Sequence, residues 1–337
     1  MTYQISILDQ SPLFNVESNE SALNRTVELA QKADKLGYHR FLVSEHHNSQ
    51  DVAGSSPEVL VSYLLAKTKK IRVGSGGVML QHYSPYKVAE NFHVLASLAG
   101  DRVDLGIGKA PGGLPLSTKA LQYKKVPASD DFYESLNLLN QFINNNLPED
   151  HELAGLKASP LPKVKPEVIL LGASRGSAIE AAKRSISFSY AQFFNSADSD
   201  LEEAVNAYRE HYPTGKFILG LNVIASLDEQ KAKELAAGQT LYKVHLASGK
   251  RLTLVTEQQA DKFGKESGES YTIEKVVPNV ISGTPVQIKE KLEELHAKYG
   301  IDEFIYHTPV KDIEARLESF ELLSPLNFQR LEASLNV

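Results

Sequence analysis

Ser44-Glu45-His46-His47-Asn48 is the densest titratable cluster in the chain. An imidazole changes charge near neutral pH, so a histidine at the edge of a cleft can move protons. Successive residues of an extended segment point to opposite sides, so a three-ligand metal site from Glu45, His46 and His47 alone is disfavoured. General acid–base work by at least one of the histidines is the chemistry this run allows. The plain alternative is a histidine packed under a strand end with its hydrogen bonds satisfied. A second cluster, Gly172-Ala173-Ser174-Arg175-Gly176-Ser177, leads straight into a helical stretch. Glycines permit a sharp turn, hydroxyls and free N–H groups donate, and a helix N-terminus adds positive potential, which together make a phosphate cradle. Serine is also an ordinary N-cap. Arg175 within the loop and Lys109 at the end of an earlier apolar run are cations that a cap does not need and a phosphate dianion favours. In a third cluster, Gly74, Gly76 and Gly77 interrupt a β-branched run, which signals a bulge, a barrel corner, or a flat ring lying against bare backbone.

Chemistry at these positions requires a scaffold that brings them to one face. Short β-branched or aromatic runs recur along the chain: Ile5 to Leu8, Arg40 to Ser44, Ile71 to Gly76, Val103 to Ile107, Val168 to Leu171, Ile186 to Tyr190, Phe217 to Val223 and Glu303 to His307. Helical periodicity separates them, with a helix expected over Asp228 to Leu246 among others. Eight strands alternating with helices imply parallel pairing, since parallel neighbours need crossovers. The expected fold is therefore an α/β (β/α)8 TIM barrel spanning residues 1–337 as one domain. Two wide gaps mark insertions, one after strand four and one between strands seven and eight, the latter polar and irregular over about 247–282. Long segments of this kind commonly form lids or binding loops. In such barrels the site lies at the C-terminal strand ends, which adds Asp9, Gln10, Gln192, Phe193, Phe194 and His307 to the rim.

Composition removes other classes. Lys plus Arg number 36 against 42 Asp plus Glu, a net charge of −6 without a basic face for nucleic acid. There are no cysteines, so disulfides, thiolate metal sites and thiol nucleophiles are excluded, as is usual in a reducing cytoplasm. The opening residues lack a signal peptide's basic flank and apolar run, and no apolar run reaches the ~20 residues of a membrane span. A cytoplasmic location is expected. Gly74-Ser-Gly76-Gly77-Val-Met79 has Met where a dinucleotide fingerprint needs its third glycine, so an open nucleotide-binding sheet is disfavoured.

Taken in order, Ser44-Glu-His-His47, Val73-Gly-Ser-Gly-Gly-Val78, Pro85-Tyr-Lys-Val-Ala-Glu90, Asp101-Arg-Val-Asp-Leu-Gly-Ile-Gly-Lys109 and Gly283-Thr-Pro285 resemble the luciferase-like flavin-dependent monooxygenases, over almost the whole chain. Ala110-Pro-Gly112 is similar to the loop of one bacterial subgroup. The resemblance implies an oxidoreductase that takes reduced FMN from a separate flavin reductase, forms a flavin C4a peroxide with O2 and oxygenates a small organic substrate. It assigns a catalytic position to His46 and cofactor binding to Gly76, Gly77, Lys109, Ser174, Arg175 and Ser177; with their cluster and rim neighbours, the expected site comprises His46, Glu45 and His47 for catalysis and Gly76, Gly77, Lys109, Gly172, Ala173, Ser174, Arg175, Gly176, Ser177 and Gln192 for the cofactor. It further implies a non-prolyl cis bond at Gly76-Gly77 and a homodimer, with neither metal, nucleic acid nor membrane as partner. Gly108 stands where the luciferase catalytic subunit has a cysteine, so light emission is not implied. An F420-dependent oxidoreductase, a non-catalytic flavin-binding protein and a metal hydrolase using Glu45 with the His pair are the competing readings.

Overall fold

The computed structural model describes residues 2–14, 17–124, 131–194, 198–249 and 251–335. The first half runs β1 (Gln4–Asp9), α1 (Asn19–Leu36), β2 (Arg40–Val43), α2 (Pro57–Lys67), β3 (Arg72–Met79), α3 (Pro85–Ala99), β4 (Val103–Gly108), α4 (Pro115–Leu121) and α5 (Phe132–Asn144). Next come β5 (Glu167–Gly172), α6 (Arg175–Lys183), β6 (Ser187–Ala191), α7 (Asp198–His211), β7 (Phe217–Ala225) and α8 (Glu229–Ala236). Then follow β8 (Leu241–Leu246), β9 (Arg251–Leu254), α9 (Glu257–Ser267), β10 (Tyr271–Val276), β11 (Val280–Gly283), α10 (Pro285–Tyr299), β12 (Glu303–His307), α11 (Ile313–Leu322) and α12 (Pro325–Leu335).

Eight strands close a parallel barrel in the order β7-β12-β1-β2-β3-β4-β5-β6, with β6 returning to β7. β7 outlasts its barrel neighbours, and its Asn222 to Ala225 stretch also carries β11 in parallel. Alternation along each strand sorts the residues. Ile5, Ile7, Phe41, Val43, Val103, Leu105 and Ile107 pack outward with helix residues such as Leu29, Leu64 and Phe92, while the intervening positions fill the barrel. At its N-terminal end the filling is ionic. Arg40 donates from Nε to Glu303 Oε1 at 2.7 Å and from Nη2 to Glu303 Oε2 at 2.8 Å, and its Nη1 lies 3.0 Å from Asp104 Oδ2. Above this sits an apolar layer of Leu8, Leu42, Ile169, Ile218 and Ile305, flanked by Leu171 and Phe193. This layer is the floor of the barrel mouth.

The glycines of β3 answer first to its neighbour. The register with β4 shifts between Ser75 and Val78, a bulge, and the two backbones approach so closely that a Cβ on Gly77 would stand 2.6 Å from Gly106 O. On Gly76 a Cβ would meet Leu8 Cδ1 at 2.7 Å, on the floor itself.

The second insertion corrects the expectation of one helix over Asp228 to Leu246 followed by irregular chain. α8 stops at Ala236, Gly238 takes a positive φ of 75°, and Leu241–Leu246 is a strand. Its alternation is of period two: Tyr242, Val244 and Leu246 pack with Ala260, Phe263 and Tyr271 in a small separate core. β8 is the centre of an antiparallel sheet in the order β10-β8-β9. The stretch reads as polar because a small sheet buries one face only. The expected 247–282 segment includes residue 250, which lies outside the described residues. The first insertion also holds α4, which periodicity alone does not reveal. α9 contacts α4, and Gln259 Nε2 donates to Asp51 Oδ2 at 2.6 Å, so both insertions meet beside the loop that follows β2.

Candidate active site

Arg40, Leu42, Ser44 and His46 alternate on the interior side of β2 and its extension, which carries His46 to the mouth. Ser44 Oγ and His46 Nδ1 share a hydrogen bond at 3.0 Å, and the His46 amide donates to Gly54 O at 2.8 Å. Burial, reinforced by the neighbouring His47 and opposed by Glu45, lowers the His46 pKa to about 4. The ring is neutral at pH 7 and able to accept a proton.

Glu45 and His47 turn the other way. The fully buried Glu45 carboxylate accepts from Met79 N at 3.0 Å, Tyr83 Oη at 2.7 Å and His47 Nε2 at 2.7 Å. It thereby ties the end of β2 to the end of β3. Burial and this hydrogen bond push the Tyr83 hydroxyl well above its ordinary range. The His47 amide donates to Gly112 O at 2.7 Å, and His82 Nε2 donates to Pro111 O at 2.8 Å, folding the Ala110–Gly113 loop over His47. Gly112 adopts φ 66°, and a Cβ there would come within 3.2 Å of His47 Cδ2. His82 and Tyr83 were not singled out by sequence, although their place just past β3 is the rim position that the barrel rule directs attention to.

The cradle lies on the adjacent sector. Ser174 is the N-cap of α6 and accepts from Ser177 N at 3.2 Å, so the capping role is real. Gly172 is confined by Ser177, whose Cβ would be 2.7 Å from an added Cβ. Ser174, Arg175 and Gly176 are exposed; the cap takes the Ser177 N–H and leaves those of Arg175 and Gly176. Ile107 pairs with Leu170, so continuing the parallel register sets Lys109 level with Gly172. The Lys109 ammonium sits 4.8 Å from the Tyr133 ring centroid. Gln192, just past β6, is buried; its Nε2 donates to Asp198 Oδ1 at 3.4 Å, while Oε1 has no partner among the described residues. Phe193 lies on the floor and 6.1 Å from the His307 ring. The Gly76-Gly77 bond is cis. The structure thus sets His46 with the Gly76-Gly77 bond, the 172–177 loop with Lys109, and Gln192 on successive sectors of one mouth, whereas Glu45 and His47 are engaged in holding its wall. Among the described residues no three His, Asp or Glu side chains form a group able to hold a metal ion.

Residues 1–303 match the luciferase-like monooxygenase family. The chain belongs to that family. Among its relatives, the N-acetyl-S-alkylcysteine monooxygenase of Bacillus subtilis (strain 168) is 43% identical over 324 residues, covering 95% of this chain and 97% of that protein. Solved apo-MsnO8 superimposes with a TM-score of 0.77 at 30% identity, covering 97% and 98% of the two chains. The oxygenating constituent of 3,6-diketocamphane monooxygenase from Pseudomonas putida, solved in complex with FMN, superimposes with a TM-score of 0.67 at 18% identity over 96% and 98%, a likeness of fold. This luciferase-like monooxygenase is accordingly an oxidoreductase built on a closed eight-stranded parallel barrel. No helix among its described residues is long and apolar enough to cross a membrane.

Proposed function

We propose that this luciferase-like monooxygenase binds reduced FMN in the barrel mouth and, with O2, oxygenates a small thioether of the N-acetyl-S-alkylcysteine class. The observation that carries the FMN reading is the exposed start of α6, with Arg175 beside it and Lys109 level with Gly172, next to an apolar floor and a Gln192 Oε1 without a partner among the described residues. A phosphate suits the open N–H groups and cations, an apolar ring suits the floor, and a hydroxyl of the connecting chain suits the lone acceptor. The 43% identical relative motivates the substrate class. Bound reduced FMN supplies the electrons that activate O2 and the path by which one oxygen atom reaches the substrate.

The protein's own residues do the rest. Ser174, Arg175, Gly176 and Ser177 hold the phosphate, with Gly172 and Ala173 shaping the loop and Lys109 adding charge. Gly76 and Gly77 offer bare backbone beside the ring, and Gln192 fixes the chain between. His46, neutral and interior, takes and returns a proton at Nε2. Glu45 and His47 keep the wall of the mouth in place, and α4 with the α9 insertion excludes water from above. A separate reductase supplies the reduced flavin. Residues 1–337 act as one domain, and two copies pair through α2 and α3, where Val59, Tyr63, Val94 and Leu98 are exposed.

Anaerobic titration with reduced FMN, followed by an oxygen pulse with N-acetyl-S-alkylcysteine, tests the reading. The expected result is saturable binding and a product that has gained one oxygen atom from O2; turnover only with F420, or none, would replace the reading. Arg175→Ala and Lys109→Ala are each expected to weaken FMN by about 10-fold, the scale of one charge-assisted hydrogen bond, and riboflavin by less than about 2-fold. Equal losses for the two ligands, measured by fluorescence titration, would put the phosphate elsewhere.

A further inference from the structure

His307 ends β12 on the interior face, two residues beyond the floor residue Ile305, and is level with Asn222 of β7. Its Nδ1 lies 2.9 Å from Asn222 Oδ1. The other end of the same amide, Asn222 Nδ2, donates to the backbone carbonyl of Asn279 at 3.2 Å. A carbonyl oxygen can only accept, so the atom facing Asn279 must be the amide nitrogen, and the oxygen must face His307. An amide oxygen in turn accepts only, so the proton of the neutral imidazole belongs on Nδ1. Nε2 is then a bare acceptor, and it has no hydrogen-bond partner among the described residues.

The surrounding charges leave this arrangement intact. Asp9 of β1 and Arg316 of α11 pair at 2.7 Å, Asp9 also accepts from Thr26 Oγ1 at 2.6 Å, and Arg316 Nε donates to Thr308 O at 3.1 Å. The nearby His46 is itself neutral. Burial, with Arg316 adding to it, lowers the His307 pKa to about 4. The ring at the mouth is therefore uncharged, and its tautomer is dictated from Asn279, in the segment joining the β8–β10 insertion to the barrel.

We propose that Asn222 is a positioning residue that locks His307 as the Nδ1–H tautomer, so that Nε2 accepts a hydrogen bond from an N–H or O–H of the ligand bound in the mouth. The second half rests on the function proposed above; the tautomer does not. Nitrogen NMR of protein labelled at histidine reads it without flavin or turnover, the His307 signals being those lost in His307→Phe. At pH 7 the wild-type protein is expected to show a protonated Nδ1 and an unprotonated Nε2. A protonated Nε2 would overturn the lock whether or not the protein oxygenates anything. Asn222→Leu removes the acceptor and is expected to mix the tautomers and lower kcat about 10-fold, with the affinity for reduced FMN within about 2-fold of wild type. Asn222→Asp, which keeps an oxygen facing Nδ1, is expected to restore the Nδ1–H form. Addition of N-acetyl-S-alkylcysteine to the protein holding reduced FMN is expected to shift the Nε2 resonance in the direction of an accepted hydrogen bond. An unmoved resonance, or an Asn222→Leu protein with wild-type kcat, would overturn the role in ligand recognition. A protein whose tautomer is as expected but which oxygenates nothing would count against the proposed function and not against the lock.

Discussion

His46→Ala lowers turnover by about 10²–10⁴-fold, the usual contribution of a positioned acid–base group, while reduced FMN binds within about 3-fold of wild type. The split follows from where the ring stands: its Nδ1 is held by Ser44 and it makes no part of the phosphate loop. Steady-state oxygen uptake with product analysis measures the first quantity, and anaerobic titration the second. An unchanged yield of oxygenated product would remove His46 from the chemistry. The depressed pKa sets the pH dependence. With a folded value of about 4 and an ordinary one of 6.5, His46 accepts protons later than the unfolded chain does. Stability contributed by the neutral ring is thus fully present above the ordinary value and falls away as pH drops from 6.5 to about 4; His307 behaves alike. Thermal melts across that interval are expected to show a steeper decline for wild type than for His46→Ala. The acid limb of kcat/KM, which reports the free protein, is expected nearer 4 than 6.5.

Arg40→Ala costs on the order of 3–5 kcal/mol of stability, because it strips the charge partner from carboxylates that stay buried. Arg40, Asp104 and Glu303 are all fully buried, and Glu167 stands 3.3 Å from Arg40 Nη2. Burial raises the Asp104 carboxyl despite the neighbouring arginines. Burial also acts to raise Glu167, but Arg40 and Lys216 outweigh it and hold that carboxyl at about 2. The loss corresponds to a fall in Tm of about 4–7 °C for a chain of this length. Urea and thermal unfolding measure it; a loss below about 1 kcal/mol would show that water or relaxation replaces the arginine. FMN affinity should change little, since the apolar layer of Leu8, Leu42, Ile169, Ile218 and Ile305 separates this plug from the mouth.

The barrel was legible because its strands are short, apolar and spaced by helical periodicity, and the position of His46 followed from counting past β2. The plug was not. Arg40, Asp104, Glu167 and Glu303 each stand near the start of a strand, where a charged residue reads as a solvated end, and only closure of the barrel points them at one another. The Leu241 to Leu246 strand was hidden for a related reason: with one face buried, its six residues follow a helical stretch too closely for local pattern to separate them.

Residue order by itself determined the βα alternation, the rim positions, the glycine-rich approach of β3 to β4 and the availability of a helix N-terminus after β5, because these depend on neighbours within a few residues. Tertiary structure alone decided that Glu45 and His47 brace the wall while His46 faces inward, that His82 and Tyr83 join them, and that Asn279 governs the proton on His307. Those relations are hydrogen bonds across distant segments, such as 34 residues between Glu45 and Met79 and 85 between Asn222 and His307, and direction and distance exist only once the barrel has closed.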